Sequence, residues 1–576
     1  MVQYFPMCST WNVAKPSKKS HRDAFPEIDP IAVQLLYNRG ITEQKDIDDF
    51  FNPNYGTDLH DPFLFVDMEK AAELILLGIR DGKKIVVYGD YDADGVSATA
   101  TMVGGLRALG AHPEVYIPFR ETEGYGLNAD AVQDMIENGT QLVITVDCGI
   151  SNYAEVDQLI SAGVVVVVTD HHQQPLKLPN ASAIIDPNTD REVYPFKSLS
   201  GSGVAFKVVQ ALAARYQLYG MEKLEDGWEK WLLDLVAIGT IADLMPLLGE
   251  NRTLVSYGLI VLGKTKRLGL RKLIEKAGNG VGEITEKTVG FTIAPRLNAA
   301  GRLEHASTAY QLLVTDNQAE AEVLAESINQ TNQQRQQLTE QITREARQQI
   351  ANQKDEGLLV AIGDGWPTGI LGLVAGRLAD KCNKPTLVIS HFAGELIGSG
   401  RSVEPFNITK ALQQCDQFLL RYGGHAQAAG FTLKNDSQLA PFIQKLRTLT
   451  IAAKTNQLAK SIQLDAELTI ADITWDFFDL LEKFRPYGQG NPRPAFALYG
   501  VIIVQASAVG QEQKHLRLKL TDNQAQTLSG IAFGFGSLAS KLKPGTVVDI
   551  ATTIDCNEWN GNRELQLNII DIATND

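Results

Sequence analysis

Five consecutive valines at residues 164–168 are the feature that most limits what this chain can fold into. A strand with one face in water alternates apolar and polar side chains, whereas an unbroken β-branched run is typical of a strand buried on both faces. Similar apolar runs occur at residues 85–88 and 142–146, and helix-like segments separate the three runs. The pattern therefore predicts an α/β fold in which helices cover both faces of a parallel sheet.

An acidic cluster follows the first of these runs, in the segment D-Y-D-A-D-G at residues 90–95. Extended spacing would send the side chains of Asp90, Asp92 and Asp94 the same way, because side chains alternate along a strand. Three carboxylates held together repel one another, and burying them is costly unless cations neutralise the charge. The alternative interpretation is an acidic turn in water, which is common for Asp-rich loops.

Further possible metal ligands follow the later apolar runs, and they favour a metal site over an acidic turn. They are Asp147, Asp170, His171, His172 and Asp243. Ligands of open parallel sheets bind beyond the carboxyl ends of the strands, so these side chains would meet the first cluster at one edge of the sheet. Taken alone, a single Asp is usually a helix cap and a His pair is usually a surface turn. Oxygen ligands with one imidazole and no thiolate indicate Mn²⁺ or Mg²⁺ rather than zinc.

The composition excludes several classes of protein. With 576 residues, of which 44% are hydrophobic, the chain can bury several cores, and three or four domains are expected. No apolar run approaches the ~20 residues of a membrane span. The net charge of −15 argues against a protein that coats nucleic acid without specificity.

The cysteines indicate a reducing compartment. They are Cys8, Cys148, Cys382, Cys415 and Cys556. Their scattered spacing fits neither a disulfide framework nor a zinc site, so we expect reduced thiols and a cytoplasmic protein.

Four motifs in a fixed order resemble those of one known family. They are D-Y-D-A-D-G, V-D-C-G at residues 146–149, D-H-H at 170–172 and G-T-I-A-D at 239–243. Together they are similar to the motifs of the DHH phosphoesterase superfamily. Three later motifs resemble its RecJ branch, the single-strand-specific 5′ exonucleases. These are N-A-A-G-R at 298–302, G-S-G-R-S at 398–402 and G-G-H at 423–425.

The resemblance implies two divalent cations, Mn²⁺ or Mg²⁺, bridged by Asp147. Asp92 would bind one of them. Asp94, His171 and Asp243 would bind the other. Phosphodiester hydrolysis needs a water nucleophile and stabilisation of the charge that develops on the phosphate, and two cations can supply both.

The resemblance also gives roles to the residues around the cations. Some relatives have a histidine where Tyr88 stands, so Asp90 or water would complete the coordination of the first cation. Asp170 would orient His171, and His172 would face the scissile phosphate as a donor or proton-transfer group. A purely structural role is the alternative for Asp90 and for Asp170.

A long polar segment follows at residues 316–353, with one thin apolar stripe. The stripe consists of Leu338, Ile342, Ala346 and Ile350. Such a pattern predicts a helix that bridges two domains. Strand-like runs at 358–362 and 386–389 then indicate a second α/β domain, which resembles the DHHA1 domain associated with this family.

Residues on either side of this helix are expected to bind the phosphates of the substrate. By resemblance they are Asn298, Arg302, Ser399, Arg401, Ser402, Gly424 and His425. Backbone donors, a hydroxyl and a guanidinium suit phosphate, although G-S-G-R-S as a bare string could equally be a glycine-rich turn. Relatives often have a histidine where Pro367 stands, and proline can neither donate nor titrate.

The C-terminal region predicts a small β-barrel. A turn-rich connector at 484–492 precedes short alternating strands at 516–520, 547–554 and 565–572. The resemblance places an OB-fold here, whose groove would bind single strands. His515, Arg517 and Lys519 could line that groove, and a strand face in water explains them equally well.

The predicted organisation has five parts. They are a lead-in at 1–66, a DHH catalytic domain at 67–315, a connecting helix at 316–353, a DHHA1 domain at 354–455 and an OB-fold nucleic-acid-binding domain at 460–576. The resemblance implies a metal-dependent 5′→3′ exonuclease that releases 5′-mononucleotides from single-stranded DNA in recombination and repair.

Two other functions are alternatives to this one. The first is a DHH phosphodiesterase acting on short oligonucleotides or cyclic dinucleotides, and such relatives are typically shorter and lack the barrel. The second is a non-catalytic replication scaffold, which should have lost the metal carboxylates. Single-stranded DNA is the expected partner, a single-strand-binding protein and a helicase are candidate protein partners, and no membrane is involved.

Overall fold

The computed structural model describes residues 10–278, 284–353, 356–453, 461–522, 526–559 and 562–574. The chain divides into two compact units, a central unit of residues 54–458 and a terminal unit in which residues 1–53 join residues 459–576. Within the described ranges, no helix combines the length and apolarity needed to cross a bilayer. Cys8 lies outside these ranges, and the other four cysteines are free thiols, as predicted.

The N-terminal part of the terminal unit contains β1 (Thr10–Val13), α1 (Lys19–Arg22), α2 (Pro30–Asn38) and α3 (Gln44–Phe51). Its strand β1 pairs in parallel with residues 461–464. Arg39, at the end of α2, donates to Oδ1 of Asn491 (2.7 Å) and to the carbonyl of Pro492 (2.6 Å). We predicted a separate lead-in at 1–66, but its described residues up to Pro53 belong with the barrel. These contacts span more than 400 residues of sequence, so local patterns could not show them.

The first α/β domain is built on a five-stranded parallel sheet. Its strands are β2 (Ile85–Tyr88), β3 (Glu114–Tyr116), β4 (Leu142–Val146), β5 (Val165–Thr169) and β6 (Ala183–Ile185). They lie in the order β3-β2-β4-β5-β6, all parallel, which confirms the predicted sheet. The strand order reverses between β2 and β4, and ligands of such sheets bind outside the carboxyl ends at this switch point.

Helices cover both faces of this sheet. They are α4 (Met68–Arg80), α5 (Ala93–Ala108), α6 (Ala129–Glu137), α7 (Tyr153–Ser161) and α8 (Gly201–Arg215). Val87 and Val167 belong to the hydrophobic core on one face, whereas Val86 and Val166 belong to the core on the other. The valine run is therefore buried on both sides, as its sequence predicts.

Further helices complete this domain. They are α9 (Leu233–Ala242), α10 (Gly249–Gly263), α11 (Leu268–Lys276), α12 (Glu286–Thr288), a π-helical turn (Val289–Ile293), α13 (Ala294–Leu303) and α14 (Ser307–Val314). We predicted that the apolar run before Asp243 ends at the edge of the sheet, but this run is helix α9. Almost every side chain of α9 is buried. A short run that is apolar on all sides cannot be distinguished from a buried strand by its periodicity.

The predicted bridging helix is α15 (Gln318–Ile350), and Ile342, Ala346 and Ile350 from its stripe pack into the core of the second α/β domain. That domain contains β7 (Leu359–Asp364), α16 (Thr368–Cys382), β8 (Thr386–Phe392), β9 (Glu395–Arg401), α17 (Ile408–Gln413), β10 (Leu419–His425), β11 (Ala428–Leu433) and α18 (Leu439–Ala452). Its sheet has the order β10-β11-β9-β8-β7, and only β7 and β8 are parallel. The first four residues of the G-S-G-R-S segment thus belong to strand β9 rather than to a glycine-rich turn.

The remaining elements of the terminal unit include a closed five-stranded barrel. They are β12 (Ser461–Leu464), β13 (Ala466–Glu467), α19 (Trp475–Glu482), β14 (Phe496–Val509), β15 (His515–Thr521), β16 (Thr527–Ala532), β17 (Val547–Trp559) and β18 (Asn562–Thr574). The order β14-β15-β16-β18-β17 closes because β17 also pairs with β14. This closure confirms the predicted OB-like barrel. Arg517 and Lys519 lie on the exposed side of β15.

A buried ion pair joins α8 to α10 beneath the site. Nζ of Lys207 lies 2.7 Å from Oε1 of Glu250, and both side chains are almost fully buried. Lys207 also donates to the carbonyl of His60 (2.9 Å), and Glu250 accepts from the hydroxyl of Tyr194 (2.7 Å). Burial lowers the pKa of Lys207, and the charge of Glu250 opposes that shift. The pair fixes α8, whose first residues reach the candidate metal centre.

We expect Lys207→Met to lower the free energy of local unfolding by about 3–5 kcal/mol, because the Glu250 carboxylate would remain buried without its cation. Hydrogen exchange of the backbone amides of α8 and α10 measures this effect directly. Lys223→Met is the matched control, since Lys223 and Asp226 form an exposed pair whose contribution is at most ~1 kcal/mol. Equal protection in the two variants would contradict the role given to the buried pair.

Candidate metal centre

Carboxylates and imidazoles converge at the point where the strand order reverses. They form three groups: Asp90 with Asp92 and Asp147; Asp94 with His171 and Asp243; and Asp147 with His171 and His172. Within each group, one ligand atom from every residue lies within 4.8 Å of the others. The structure therefore brings together all six residues predicted as metal ligands, and it places His172 beside them.

The first acidic segment is a turn into a helix rather than an extension of β2. Asp92 is the N-cap of α5, and its Oδ1 accepts from the backbone N–H groups of Asp94 (2.9 Å) and Gly95 (3.0 Å). Aspartate is favoured at this position because it satisfies N–H groups that have no partner within the helix. We predicted that all three acids point the same way, but the turn places Asp94 in a different group from Asp90 and Asp92.

Asp94 faces the N-terminus of α8. Its Oδ2 accepts from the N–H of Gly201 (2.6 Å) and its Oδ1 from the N–H of Ser202 (3.0 Å). Free N–H groups and the helix dipole both favour a carboxylate here. Sequence analysis missed this S-G-S segment, although a serine N-cap directly before an apolar helix is a signal that could have shown it.

Two buried carboxylate oxygens in the centre have no hydrogen-bond partner among the described residues, as expected of atoms that would bind a cation. They are Oδ1 of Asp90 and Oδ1 of Asp147. Oδ1 of Asp147 is nevertheless 3.0 Å from Nε2 of His171, without the geometry of a hydrogen bond. Two ligands bound at right angles to one cation by ~2.1 Å bonds would lie ~3.0 Å apart. The donor set and its spacing thus fit a divalent cation.

The electrostatics of the carboxylates agree with this conclusion. Burial raises the pKa of Asp147 well above its usual range, and the charges of Asp94 and Asp92 raise it further. Burial and the charge of Asp92 also raise the pKa of Asp90. Burial and Asp94 raise the pKa of Asp243 to about 7, although His171 opposes the shift. Such a cluster is stable near neutral pH only with protons or cations among its oxygens.

The resemblance implied that Asp170 orients His171, but its carboxylate contacts the ring of His172 instead. Its Oδ1 lies 2.7 Å from Nδ1 of His172, and it also accepts from the backbone N–H of His171 (2.7 Å). Burial alone would raise the pKa of Asp170, but the hydrogen bond from His172 and its charge outweigh burial and lower it. The hydroxyl of Tyr125 also lies 3.0 Å from Nδ1 of His172. Both contacts are to Nδ1, so they hold the ring in one orientation.

Two further residues lie at this edge, Tyr88 and Asp186, and Asp186 was not identified from the sequence. Tyr88 turns away from the centre, donating to the carbonyl of Gly126 (2.9 Å) and stacking on Tyr116. Asp186, directly after β6, is fully buried, and burial raises its pKa to about 7. It accepts from the backbone N–H of Asn188, which in turn donates from its side chain to the carbonyl of His171 (2.5 Å). An acid after the short strand β6 was the missed signal.

Arginines gather where the two α/β domains meet. Arg302 donates to the carbonyl of Gly369 (3.0 Å), and Nη1 of Arg401 donates to Oγ of Ser399 (3.2 Å). Burial and the neighbouring charges of Arg120 and Arg335 lower the pKa of Arg302 to about 10. Arg120 and Arg335 were not identified from the sequence, because isolated arginines there carry no motif.

The other predicted substrate residues differ in their surroundings. Oδ1 of Asn298 accepts from the N–H of Ala93 (3.0 Å), so Asn298 supports the acidic turn. The hydroxyl of Ser402 donates to the carbonyl of Phe406 (2.6 Å). Gly424 and His425 are exposed at the end of β10, where His425 lies in the same cross-strand row as Arg401. Their contact with substrate stays a prediction.

Two glycines allow the carboxylates to approach. A Cβ on Gly201 would lie 2.3 Å from Oδ1 of Asp147, and a Cβ on Gly239 would lie 2.1 Å from Oδ1 of Asp94. No real Cβ tolerates such distances, so each glycine is required by the carboxylate beside it. Gly239, the glycine of G-T-I-A-D, therefore contributes to the centre because it has no side chain that would displace Asp94.

Family models match three parts of the chain. The models describe the DHH family N-terminal domain at residues 84–240, the DHHA1 domain at 355–451 and the RecJ OB domain at 464–571. The single-stranded-DNA-specific exonuclease RecJ of Bacillus subtilis is 36% identical, over 98% of this chain and 71% of that protein. The exonuclease of the same name from Escherichia coli is 35% identical, over 88% of this chain and 89% of that protein.

Solved structures show the same similarity. The crystal structure of RecJ in complex with Mn²⁺ from Thermus thermophilus matches with a TM-score of 0.84 and 32% identity, covering 98% of this chain and 80% of that chain. The Mg²⁺ complex from the same organism matches with a TM-score of 0.78 and 30% identity, covering 98% and 79%. Relatives of this fold therefore bind divalent cations of the kind that the donor set suits.

We expect Gly201→Ala to weaken Mn²⁺ binding and hydrolysis by more than ~100-fold, because the new methyl group would displace a carboxylate shared by two ligand groups. Gly203→Ala is the matched control, since its Cβ would meet only ordinary contacts, the nearest at 3.4 Å. Both changes add helix propensity to α8. Calorimetric titration with Mn²⁺ measures the effect, and similar affinities in the two variants would contradict it.

Proposed function

The chain belongs to the RecJ family, and from this premise we propose that it is a metal-dependent exonuclease specific for single-stranded DNA. It hydrolyses phosphodiester bonds from the 5′ end and releases 5′-mononucleotides. The observation that carries the proposal is the convergence of five carboxylates and His171, most of them buried, with acceptor atoms on Asp90 and Asp147 that have no partner among the described residues. Bound cations would supply charge neutralisation and an activated water there.

Two cations suit the arrangement better than one. Asp147 belongs to two different ligand groups and is the residue suited to bridge them. Asp90 and Asp92 would complete the first site. The second would be completed by Asp94, His171 and Asp243. Asp94 holds its position through the N–H groups of α8, so the second site is organised before any cation binds.

His172 acts on the substrate in this proposal. Asp170 and Tyr125 both contact Nδ1, which leaves Nε2 as the nitrogen that would meet the substrate. Burial alone would lower the pKa of His172, but the hydrogen bond with Asp170 and its charge raise it to about 9. The ring would therefore donate a proton or a hydrogen bond to the phosphate at neutral pH.

A terminal phosphate anchor would make the enzyme an exonuclease. Arg302 and Arg401 meet across the two α/β domains, and Ser399 adds a hydroxyl beside Arg401. A planar guanidinium suits a phosphate with several free oxygens. Holding the 5′-phosphate there would place the first internucleotide bond at the carboxylates, so that one nucleotide is removed per cut.

The barrel would bind the strand further along, as OB-folds do. Its match to the RecJ OB domain also separates this chain from phosphodiesterases of short substrates. An enzyme restricted to unpaired strands cannot open a duplex itself. We therefore propose that a helicase and a single-strand-binding protein prepare its substrate, within recombination and repair.

The function is tested by digesting a 3′-labelled single strand, a duplex and a dinucleotide in parallel with Mn²⁺, Mg²⁺ or a chelator. We expect stepwise shortening of the single strand only, lost with chelator and reduced more than ~100-fold by Asp147→Asn. Circular dichroism controls for folding of the variant. Preferred cleavage of the dinucleotide, or activity that survives a chelator, would contradict the proposal.

Removing Arg401 should weaken binding of 5′-phosphorylated strands by about 10–100-fold and leave 5′-hydroxyl strands less affected, because a charged hydrogen bond to the terminal phosphate is lost. Steady-state KM values for the two strands measure this difference. Arg421→Ala is the matched control, since Arg421 lies exposed in the same sheet and binds Glu395. Equal losses on both strands would show that Arg401 supports only the fold or the backbone path.

A further inference from the structure

Two bulky apolar side chains are exposed on segments that adjoin the candidate metal centre. Phe291 is 81% exposed and Leu244 is 72% exposed. Phenylalanine and leucine are among the residues most often buried, and a single exposed one needs no explanation. These two differ from scattered surface residues because each lies in unusual backbone, and because both adjoin the end of α9 that carries Asp243.

Leu244 directly follows Asp243 and has a positive φ of 57°. The N–H of Met245 donates to the carbonyl of Thr240 (3.1 Å), and that of Leu244 to the carbonyl of Ile241 (3.2 Å). This is the Schellman pattern that ends many helices, and its left-handed position is usually glycine. A leucine there is strained, and strain kept in a structure points to function.

Phe291 lies in the π-helical turn Val289–Ile293. Single π-helical turns are rare and occur frequently at functional sites. The turn packs near the last turn of α9, because a Cβ on Gly290 would lie 3.7 Å from Cγ2 of Ile241. Phe291 therefore lies on a turn that packs beside the last turn of α9, the helix that leads into Asp243 and Leu244.

The same helical segment connects Phe291 to the phosphate anchor. Asn298 and Arg302 are spaced i and i+4 on one side of α13, and Phe291 lies in the π-helical turn that leads directly into α13, so the three residues follow one helical segment over about 16 Å. Ile293 and Leu297 occupy the buried side. Along this segment, Asn298 contacts the acidic turn at Ala93 and Arg302 contacts Gly369. The acidic centre thus lies between an apolar end at Phe291 and a cationic end at Arg302.

We propose that Phe291 and Leu244 form an apolar platform for an unpaired nucleobase of the DNA strand. The proposal rests on the function proposed above. With the 5′-phosphate at Arg302 and Arg401, the base on the platform lies on the other side of the scissile phosphate, in the second or third nucleotide. Stacking of bases on aromatic rings tolerates any sequence, because every base has a π-face. Leu244 directly follows Asp243 of the candidate metal centre, which commits the platform to the same strand.

The test uses strands with a single abasic nucleotide at position one, two, three or eight, bound to proteins that also carry Asp147→Asn so that nothing is cut. Fluorescence anisotropy gives the affinity. We expect Phe291→Ala to weaken binding of the intact strand by about 5- to 100-fold. The same variant should cause little further loss when position two or three is abasic, since the stacked base is already missing.

Two variants serve as controls. Val323→Ala removes another exposed apolar side chain, 68% exposed on α15, and should leave affinity unchanged. Phe291→Trp keeps a ring and should retain binding. Leu244→Gly should weaken binding without lowering the midpoint of thermal unfolding, because glycine relieves the left-handed strain.

The possible outcomes separate this inference from the proposed function. If the parent protein with Asp147 intact digests single strands but Phe291→Ala binds like Val323→Ala, the platform is overturned and the function stands. If the losses from Phe291→Ala and from every abasic position simply add, the ring does not contact a base, and the platform is again overturned. If the parent protein digests no single strand, the function fails and the platform fails with it.

Discussion

The fold holds several buried carboxylates close together although they repel one another, and the rest of the structure depends on how this repulsion is compensated. Asp90, Asp94 and Asp147 are almost fully buried, and two of their oxygens have no hydrogen-bond partner among the described residues. Folding a chain around such a cluster is unfavourable unless charge of the opposite sign completes it. Divalent cations are therefore part of the folded centre as well as of its chemistry.

The surrounding fold makes the cluster possible through backbone dipoles and missing side chains. The N-terminus of α8 binds Asp94, and Gly201 and Gly239 leave room for Asp147 and Asp94. The ion pair of Lys207 with Glu250 anchors α8 in the core. The second α/β domain adds Arg401, whose charge acts on Arg302 of the first domain.

Much of this could be predicted from sequence, for definite physical reasons. An unbroken valine run indicates a strand buried on both faces. Acids that follow apolar runs indicate the edge of the sheet at which parallel strands end. What could not be predicted depends on contacts distant in sequence. Helix α9 was taken for part of the sheet, Asp170 was assigned to the ring of His171 although it contacts that of His172, and the described residues up to Pro53 were separated from the unit that contains the barrel. Gly201 was missed because its lack of a side chain matters only next to Asp147, and the sequence does not show that the two residues are close.

The central claim, that the carboxylates are completed by two cations sharing Asp147, is tested most directly by counting bound Mn²⁺. Electron paramagnetic resonance during titration of the metal-free protein distinguishes single ions from coupled pairs. We predict two ions per chain, magnetically coupled because they share one carboxylate. A single ion at saturation, or two ions without coupling, would contradict the claim.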